Sequence, residues 1–331
     1  MTDLSFLDGV GLTELHAHMG SSLSADILWD LAHQQGIRLP TKDFSSFQKI
    51  VTLYENKSYE EYLMMFDIPE LIQSSPDAML MALDVAASGA FRTSNITTLE
   101  LRYCPWWRTR QGERDLDYII TYSIHGIERA MLKYPVNVGI ILEMDRRLTA
   151  EQNAIIVKKA IKYKSRGIVG IDLAGPVNRT AQSKKFQPKD IAPAVADAKA
   201  AGLGVTIHTG EATGVDEMWE VVEELKPDRI GHGIACIHDE SLMKRLVKDD
   251  IILENCPTSN LHTNTIKSYE KMRSIFETFM EHNILFTINT DGPALLQTTL
   301  RQEYGKLLEH KVLTKEQLLH CNDIATKASF I

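Results

Sequence analysis

Cysteine is scarce in this chain. The four cysteines are Cys104, Cys236, Cys256 and Cys321, and no two of them form a CxxC pair. Scattered thiols of this kind do not make a disulfide framework, and they are typical of a protein kept in a reducing compartment. We therefore expect a cytoplasmic protein that has no cysteine-based zinc site.

The chain also lacks long hydrophobic runs and a surplus of positive charge. No stretch approaches the roughly 18 uninterrupted apolar residues of a membrane span. The opening MTDLSFLDGVGLTELHAH has neither the basic nor the apolar region of a signal peptide. A formal net charge of −8 argues against nucleic acid or an anionic membrane as the main partner. A small anionic substrate is still compatible with this charge.

Short apolar runs alternate with longer amphipathic stretches, which is typical of a parallel sheet with helical crossovers. Eight runs read as strands: Val10–His16, Thr97–Tyr103, Val136–Glu143, Ile168–Leu173, Gly204–His208, Arg229–Gly231, Ile251–Asn255 and Leu285–Asn289. Eight parallel strands close a barrel, and one barrel can reach 331 residues. We predict a single α/β domain over residues 1–331, a (β/α)8 TIM-type barrel.

Helices are predicted between the strands at Ala150–Lys164, Pro188–Ala201, Asp216–Leu225, Asp239–Lys248 and Tyr269–His282. The connection between the first two strands is much longer. Residues 21–95 read there as several helices, at Ala25–Gln35, Tyr59–Ser74 and Pro76–Ser88. Insertions that follow a barrel strand lie on the face where active sites form. We expect a helical lid-like insertion, and a packing elaboration with no role in binding is the alternative.

Histidines recur where the predicted strands end. His16 and His18 in LHAH share one side of the first strand, because side chains alternate along a strand. His208 closes the fifth strand in VTIHTGE, His232 closes the sixth in RIGHG, and Asp291 follows the eighth in FTINTDGP. Strand ends of a closed barrel meet at one mouth. Packing explains such a set poorly, and a metal site is the better interpretation.

Three imidazoles and a carboxylate without thiolates suit one Zn²⁺ per chain, or another divalent ion. Such an ion lowers the pKa of a bound water towards about 7, so that hydroxide forms near neutral pH. Glu211 follows His208 by three residues, which places a carboxylate beside the metal where it can move protons. Its alternative role is to cap the helix that begins near Asp216. His232 need not bind metal, and it can orient the hydroxide and stabilise developing charge.

The motifs LHAH, HTGE, RIGHG, CPTSN and NTDGP, in this order and spacing, resemble the adenosine deaminase family of the amidohydrolase superfamily. The similarity also runs through TELHAHMGSSL, TLELRYCP, GIDLAG and ATKASF, and so covers nearly the whole chain. The resemblance implies these zinc ligands: His16, His18, His208 and Asp291. It implies that Glu211 protonates a ring nitrogen of a purine, that His232 steers the hydroxide, and that the backbone of Gly175 contacts the purine ring.

The chain departs from the family pattern at substrate contacts. Many purine deaminases carry a second acidic residue after the metal aspartate, on the imidazole side of the base, and this chain has Gly292 there. Gly175 is followed by PVN and not by acidic residues, and Gly20 lies where adenosine deaminases place an aspartate near the ribose hydroxyl. The implied reaction is hydrolytic release of ammonia from a 6-aminopurine nucleoside or a related aminopurine.

Arginines are common where the second, third and fourth predicted strands end: Arg102, Arg108, Arg110, Arg146, Arg147 and Arg179, with Trp106 and Trp107 among them. Guanidinium groups pair well with carboxylate or phosphate. One interpretation is therefore a substrate with an anionic part, such as aminodeoxyfutalosine. The other is that these arginines are solvated or pair with structural carboxylates.

Three functions fit a barrel with these residues. The first is an aminopurine aminohydrolase whose partner is a small-molecule aminopurine. The second is a lactone or phosphoester hydrolase, many of which use two metals bridged by a modified lysine at the fourth strand, where this chain has Asp172. The third is a non-catalytic relative, which we expect to have lost ligands or the proton shuttle. Because all those residues are present, we predict the first function.

Overall fold

The fold is built on one parallel sheet, seen in a computed structural model that describes residues 3–110, 112, 115–176 and 186–331. Eight strands follow one another in sequence order. They are β1 (Leu12–His18), β2 (Ile96–Tyr103), β3 (Asn137–Asp145), β4 (Ile168–Ala174), β5 (Gly204–Thr209), β6 (Arg229–His232), β7 (Ile252–Asn255) and β8 (Phe286–Ile288). A parallel bridge between Ala17 and Asp291 joins the first strand to the end of the last. The predicted (β/α)8 barrel is confirmed.

Helices surround this sheet. They are α1 (Ala25–Gln34), α2 (Phe44–Val51), α3 (Tyr59–Met64), α4 (Asp67–Ile72), α5 (Pro76–Ser94), α6 (Leu116–Lys133), α7 (Ala150–Tyr163), α8 (Ala192–Ala200), α9 (Val215–Glu224), α10 (Glu240–Lys248), α11 (Pro257–His262), α12 (Tyr269–Glu281), α13 (Leu300–Glu309) and α14 (Lys315–Ala328). The strands are buried almost throughout, as expected for a parallel sheet covered by helices. Within the described part of the chain, no helix has the length and apolar character needed to cross a membrane.

The insertion between β1 and β2 differs from its prediction in three places. Helix α2 was not predicted, and α5 continues to Ser94 beyond the predicted end at Ser88. The helix predicted over Tyr59–Ser74 is two helices, α3 and α4. The chain tightens at the end of α3, where the amide of Phe66 bonds to the carbonyl of Leu63 three residues earlier. Pro69 explains the break, because proline lacks an amide hydrogen and its ring would clash with the carbonyl of Met65 in a continuous helix.

The lower part of the barrel interior is filled by buried charges. Arg229 of β6 donates to Glu254 of β7 at 2.7 Å and to Glu100 of β2. Since β2 and β6 are not neighbours in the sheet, the contact with Glu100 crosses the barrel interior. The ring of Phe330 lies 3.6 Å from the guanidinium carbon of Arg229, and a Cβ on Gly204 would collide with that ring. These contacts fill the lower end of the barrel interior. The opposite end of the strands is left open for the site.

Candidate active site

The four residues proposed as metal ligands lie together at the carboxyl ends of the strands. One ring nitrogen from each of His16, His18 and His208 can be chosen so that the three atoms lie within 4.8 Å of one another. The Nε2 atoms of His18 and His208 are 3.1 Å apart. Oδ1 of Asp291 is 3.4 Å from Nε2 of His18 and 3.9 Å from Nε2 of His16. Ligands on a tetrahedral zinc with bonds of about 2.0–2.1 Å stand about 3.3–3.4 Å apart. The spacing therefore suits one shared ion.

Each of the three histidines has a carboxylate behind its other ring nitrogen. The pairs are His16 Nδ1 with Glu254 at 2.8 Å, His18 Nδ1 with Glu143 at 2.9 Å, and His208 Nδ1 with Asp172 at 2.9 Å. Such carboxylates orient the imidazole and raise its basicity as a metal ligand. Sequence reasoning did not assign this role to Glu143, Asp172 or Glu254. The available signal was an acidic residue inside an otherwise apolar strand.

His16 provides the clearest test of whether these residues fit a metal. Its side chain is fully buried, and its Nε2 has no hydrogen-bond partner among the described residues. Burial lowers the pKa of His16 well below its ordinary value, so the ring is neutral. A neutral imidazole with a free lone pair is the form that binds metal. The unpartnered nitrogen is thus explained by a ligand role.

A second group of possible metal-binding side chains combines His16 and His232 with Cys256. Burial raises the pKa of the Cys256 thiol well above its ordinary value. Burial therefore disfavours the thiolate, which is the form that binds metal. This group is a poorer zinc site than the histidines with Asp291.

Asp291 is held tightly from both its backbone and its side chain. Its amide bonds to the carbonyl of His16, and its carbonyl accepts from the amide of His18, both at 2.8 Å. Its Oδ2 accepts from Ser259 Oγ at 2.5 Å and from the Tyr62 hydroxyl at 3.3 Å. Asp291 has a φ of 62°, a left-handed conformation that is strained for a residue with a side chain. Such strain persists where surrounding contacts enforce it and is concentrated at functional sites.

Glu211 and His232 face each other next to these ligands. Oε2 of Glu211 is 3.5 Å from Nε2 of His232. The side-chain nitrogen Nδ2 of Asn260 lies 3.0 Å from Nδ1 of His232. Because an amide NH2 group can only donate, Nδ1 is the acceptor in this hydrogen bond. The ring hydrogen of His232 is therefore on Nε2. Glu211 does not cap α9, since that helix follows Gly214 and has no side-chain cap. Burial raises the pKa of Glu211, which favours a protonated carboxyl that can donate.

One cavity opens onto Glu211, His232 and three of the four proposed ligands. Its inner surface includes His18, His208, Glu211, His232 and Asp291, and its walls include Tyr59, Tyr62, Leu63, Phe66, Trp107, Arg147 and Gly175. Helices α3 and α4 of the insertion therefore supply part of the wall. Gly175 has a φ of 91°, and a Cβ there would lie 2.7 Å from Oδ1 of Asp145. Only a bare backbone fits at this part of the wall.

Most of the arginines singled out from the sequence already have anionic partners. Arg102 lies inside β2, fully buried, and pairs with Asp172 and Glu254. The other pairs are Arg146 with Glu217, Arg147 with Asp145, and Arg110 with Asp67 and Glu70. The contacts support the structural interpretation of these four residues.

One described arginine differs from this pattern. Arg108 is 1% exposed, and its Nε and Nη1 have no hydrogen-bond partner in the described part of the chain. Its guanidinium carbon lies 5.8 Å from the centre of the Tyr103 ring. Arg179 lies outside the described residues, as do Val177 and Asn178 of the segment after Gly175.

The comparisons with known proteins cover nearly the whole length of this chain. The family model for adenosine deaminase matches residues 11–331. An adenosine deaminase from Shewanella loihica is 28% identical over 97% of this chain and 95% of its own length, and one from Clostridium botulinum is 32% identical over 89% and 86%.

A solved structure agrees in fold. A zinc-bound amidohydrolase from Burkholderia ambifaria superposes with a TM-score of 0.85 at 18% identity, over 99% of this chain and 87% of that one. The family match spans all eight strands and every residue proposed above as a ligand or proton shuttle. The chain therefore belongs to the adenosine deaminase family.

Proposed function

We propose that this protein is a zinc-dependent hydrolase that deaminates a 6-aminopurine nucleoside or a related aminopurine and releases ammonia. The observation that carries the proposal is the position of Glu211, which lies 3.5 Å from His232 in the cavity that also contains His18, His208 and Asp291. A proton donor beside a cluster of metal-binding side chains is what hydrolytic loss of an amine requires. Deamination of aminopurines is the reaction of the family to which the chain belongs.

The ion would be held by His16, His18, His208 and Asp291. When bound, it supplies the positive charge that makes a water molecule a nucleophile near neutral pH. Zinc is proposed because three imidazoles and one carboxylate suit it, and another divalent ion is the alternative. The unpartnered Nε2 of His16 supports its assignment as a ligand.

The remaining chemistry is proton transfer by the protein. Glu211 donates a proton to a ring nitrogen of the purine, which prepares the amine-bearing carbon for attack. It then takes up the proton that the attacking water releases and passes it to the departing amine, which leaves as ammonia. His232 carries its hydrogen on Nε2 and donates to the attacking oxygen, so that it orients this atom and stabilises the charge that develops. The backbone at Gly175 borders the cavity, where it can contact the purine ring.

Residues 21–95 are proposed to act as a lid within this single domain. Side chains of α3 and α4 border the same cavity as Glu211 and Asp291. A lid of this kind limits the access of bulk water to the reacting groups.

A screen for ammonia release tests the proposal. The substrates are adenosine, deoxyadenosine, adenine, methylthioadenosine and aminodeoxyfutalosine, each with protein as purified, stripped by a strong chelator, and reloaded with zinc. We expect ammonia from at least one substrate, loss of activity on stripping, and recovery with one zinc per chain. Two bound metals per chain, together with turnover of a lactone or phosphoester and no ammonia from any aminopurine, would overturn it.

A further inference from the structure

The space beside Gly292 is already occupied. A Cβ added at Gly292 would lie 2.9 Å from Ser21 Oγ and 3.3 Å from the Tyr62 hydroxyl. Tyr62 is only 3% exposed, and it belongs to α3 of the insertion and not to the barrel. The hydroxyl of Tyr62 therefore stands next to Asp291, where residue 292 would otherwise carry its side chain.

The Tyr62 hydroxyl can donate its hydrogen to an acceptor other than Asp291. It donates to Oδ2 of Asp291 across 3.3 Å, and Ser259 donates to the same oxygen across 2.5 Å. Because Ser259 makes the shorter bond to that oxygen, the phenol hydrogen can turn to another acceptor while Asp291 keeps a donor. Tyr62 borders the cavity, so a bound substrate is where such an acceptor would come from.

The orientation of the bound purine follows from the positions of its ring nitrogens N1 and N7. This step rests on the proposed function. The reacting carbon of a 6-aminopurine lies between N1 on one side and, beyond the ring-fusion carbon, N7 on the other. A base whose N1 faces Glu211 directs N7 away from Glu211. The resemblance to purine deaminases, many of which carry an acidic residue at this point, implies that position 292 lies on the imidazole side of the base.

We propose that Tyr62 is a specificity-determining residue whose hydroxyl donates a hydrogen bond to N7 of the bound aminopurine, in place of the side chain that position 292 lacks. A phenol has an ordinary pKa of about 10, so it is neutral near pH 7 and can donate. The site thus selects bases with an unprotonated, unsubstituted N7.

Binding of two reaction products tests this role without turnover. Inosine and 7-deazainosine differ at the atom in question, and their dissociation constants can be measured by calorimetry on the zinc-loaded protein. We expect the wild type to prefer inosine, and Tyr62→Phe to reduce this preference by about tenfold, the size of one neutral hydrogen bond. Zinc content should be unchanged in Tyr62→Phe, which separates loss of the N7 contact from damage to the metal site.

Tyr103→Phe is the matched control. Tyr103 is 1% exposed, and its hydroxyl bonds to Ser123 Oγ at 2.8 Å instead of facing the cavity. Its removal should leave the preference for inosine unchanged. A wild-type preference retained in Tyr62→Phe would overturn the role of Tyr62 alone. A wild type that binds neither nucleoside would overturn both the nucleoside substrate and this inference.

Gly292→Ala provides a second test through sterics. The new methyl group would lie 2.9 Å from Ser21 Oγ and 3.3 Å from the Tyr62 hydroxyl, so both must shift, and the preference for inosine should fall in this variant as well. In a Tyr62→Phe background the same substitution should change the preference little, because the hydroxyl proposed to contact N7 is already gone. Equal losses in the two backgrounds would show that Tyr62 does not act at this position.

Discussion

The inner and outer parts of the cavity are built differently. The inner part consists of side chains at strand ends, and the histidines proposed as ligands are backed by Glu254, Glu143 or Asp172. The outer part comes from the insertion and from segments after strands, and it includes exposed side chains such as Met64 and Asp67. The barrel thus holds the chemical groups rigidly, while residues near the substrate's outer part belong to pieces of chain that can change without disturbing the sheet.

The largest expected effect comes from the inner part. Glu211→Gln keeps the size of the side chain and removes its ability to exchange a proton. We expect turnover to fall by at least about 10²–10⁴ while zinc remains bound, because general acid–base catalysis contributes that much. Ammonia release and metal analysis on the same preparation measure both quantities. Loss of zinc in this variant would instead indicate that Glu211 is a ligand.

A smaller effect is expected one layer behind the ligands. Glu143→Gln removes the negative charge 2.9 Å from Nδ1 of His18 and should weaken zinc binding by about 10–100-fold. Competition with a chelator of known affinity measures the change. Glu70→Gln is the control, since Glu70 borders the same cavity but faces Arg110. Equal losses of affinity in both variants would contradict the distinction between the inner and outer parts.

The smallest effect is expected in the outer part. Arg110 lies 3.5 Å from Asp67 and 3.6 Å from Glu70, so its charge is already matched. Arg110→Ala should change the ratio of kcat/KM for anionic and neutral aminopurines by less than about fivefold, because exposed ion pairs contribute about 1 kcal/mol or less. A drop of more than tenfold for the anionic substrate alone would favour the interpretation of these arginines as an anion site.

The inner part was largely predictable from the sequence, for a physical reason. Parallel strands bring their carboxyl ends together, so motifs such as LHAH and HTGE can be placed at one mouth without knowledge of helix packing. The carboxylates behind the histidines required more, because the side of a short strand that faces the barrel interior depends on register and bulges. One such irregularity lies in β1 between Glu14 and Ala17.

The outer part could not be obtained in this way. Tyr62 approaches Asp291 only because α3 folds back over the mouth, and the sequence contains no period or spacing that links two residues so far apart. Even the break between α3 and α4 depends on Pro69. The amphipathic pattern continues on both sides of this proline, so the pattern alone predicts a single helix. The contacts of Arg110 with Asp67 and Glu70 likewise depend on where α4 packs.

The bridge between β1 and the segment after β8 has a consequence for chain entropy. His16 and His18 belong to the first strand, and Asp291 follows the last strand. Backbone hydrogen bonds join Asp291 to both histidines. An ion bound by these side chains would act as a cross-link between distant parts of the polypeptide, closing a loop that encompasses nearly the whole barrel. Because long loops are entropically costly to close, metal binding would stabilise the closed sheet, and closure of the sheet would in turn favour metal binding.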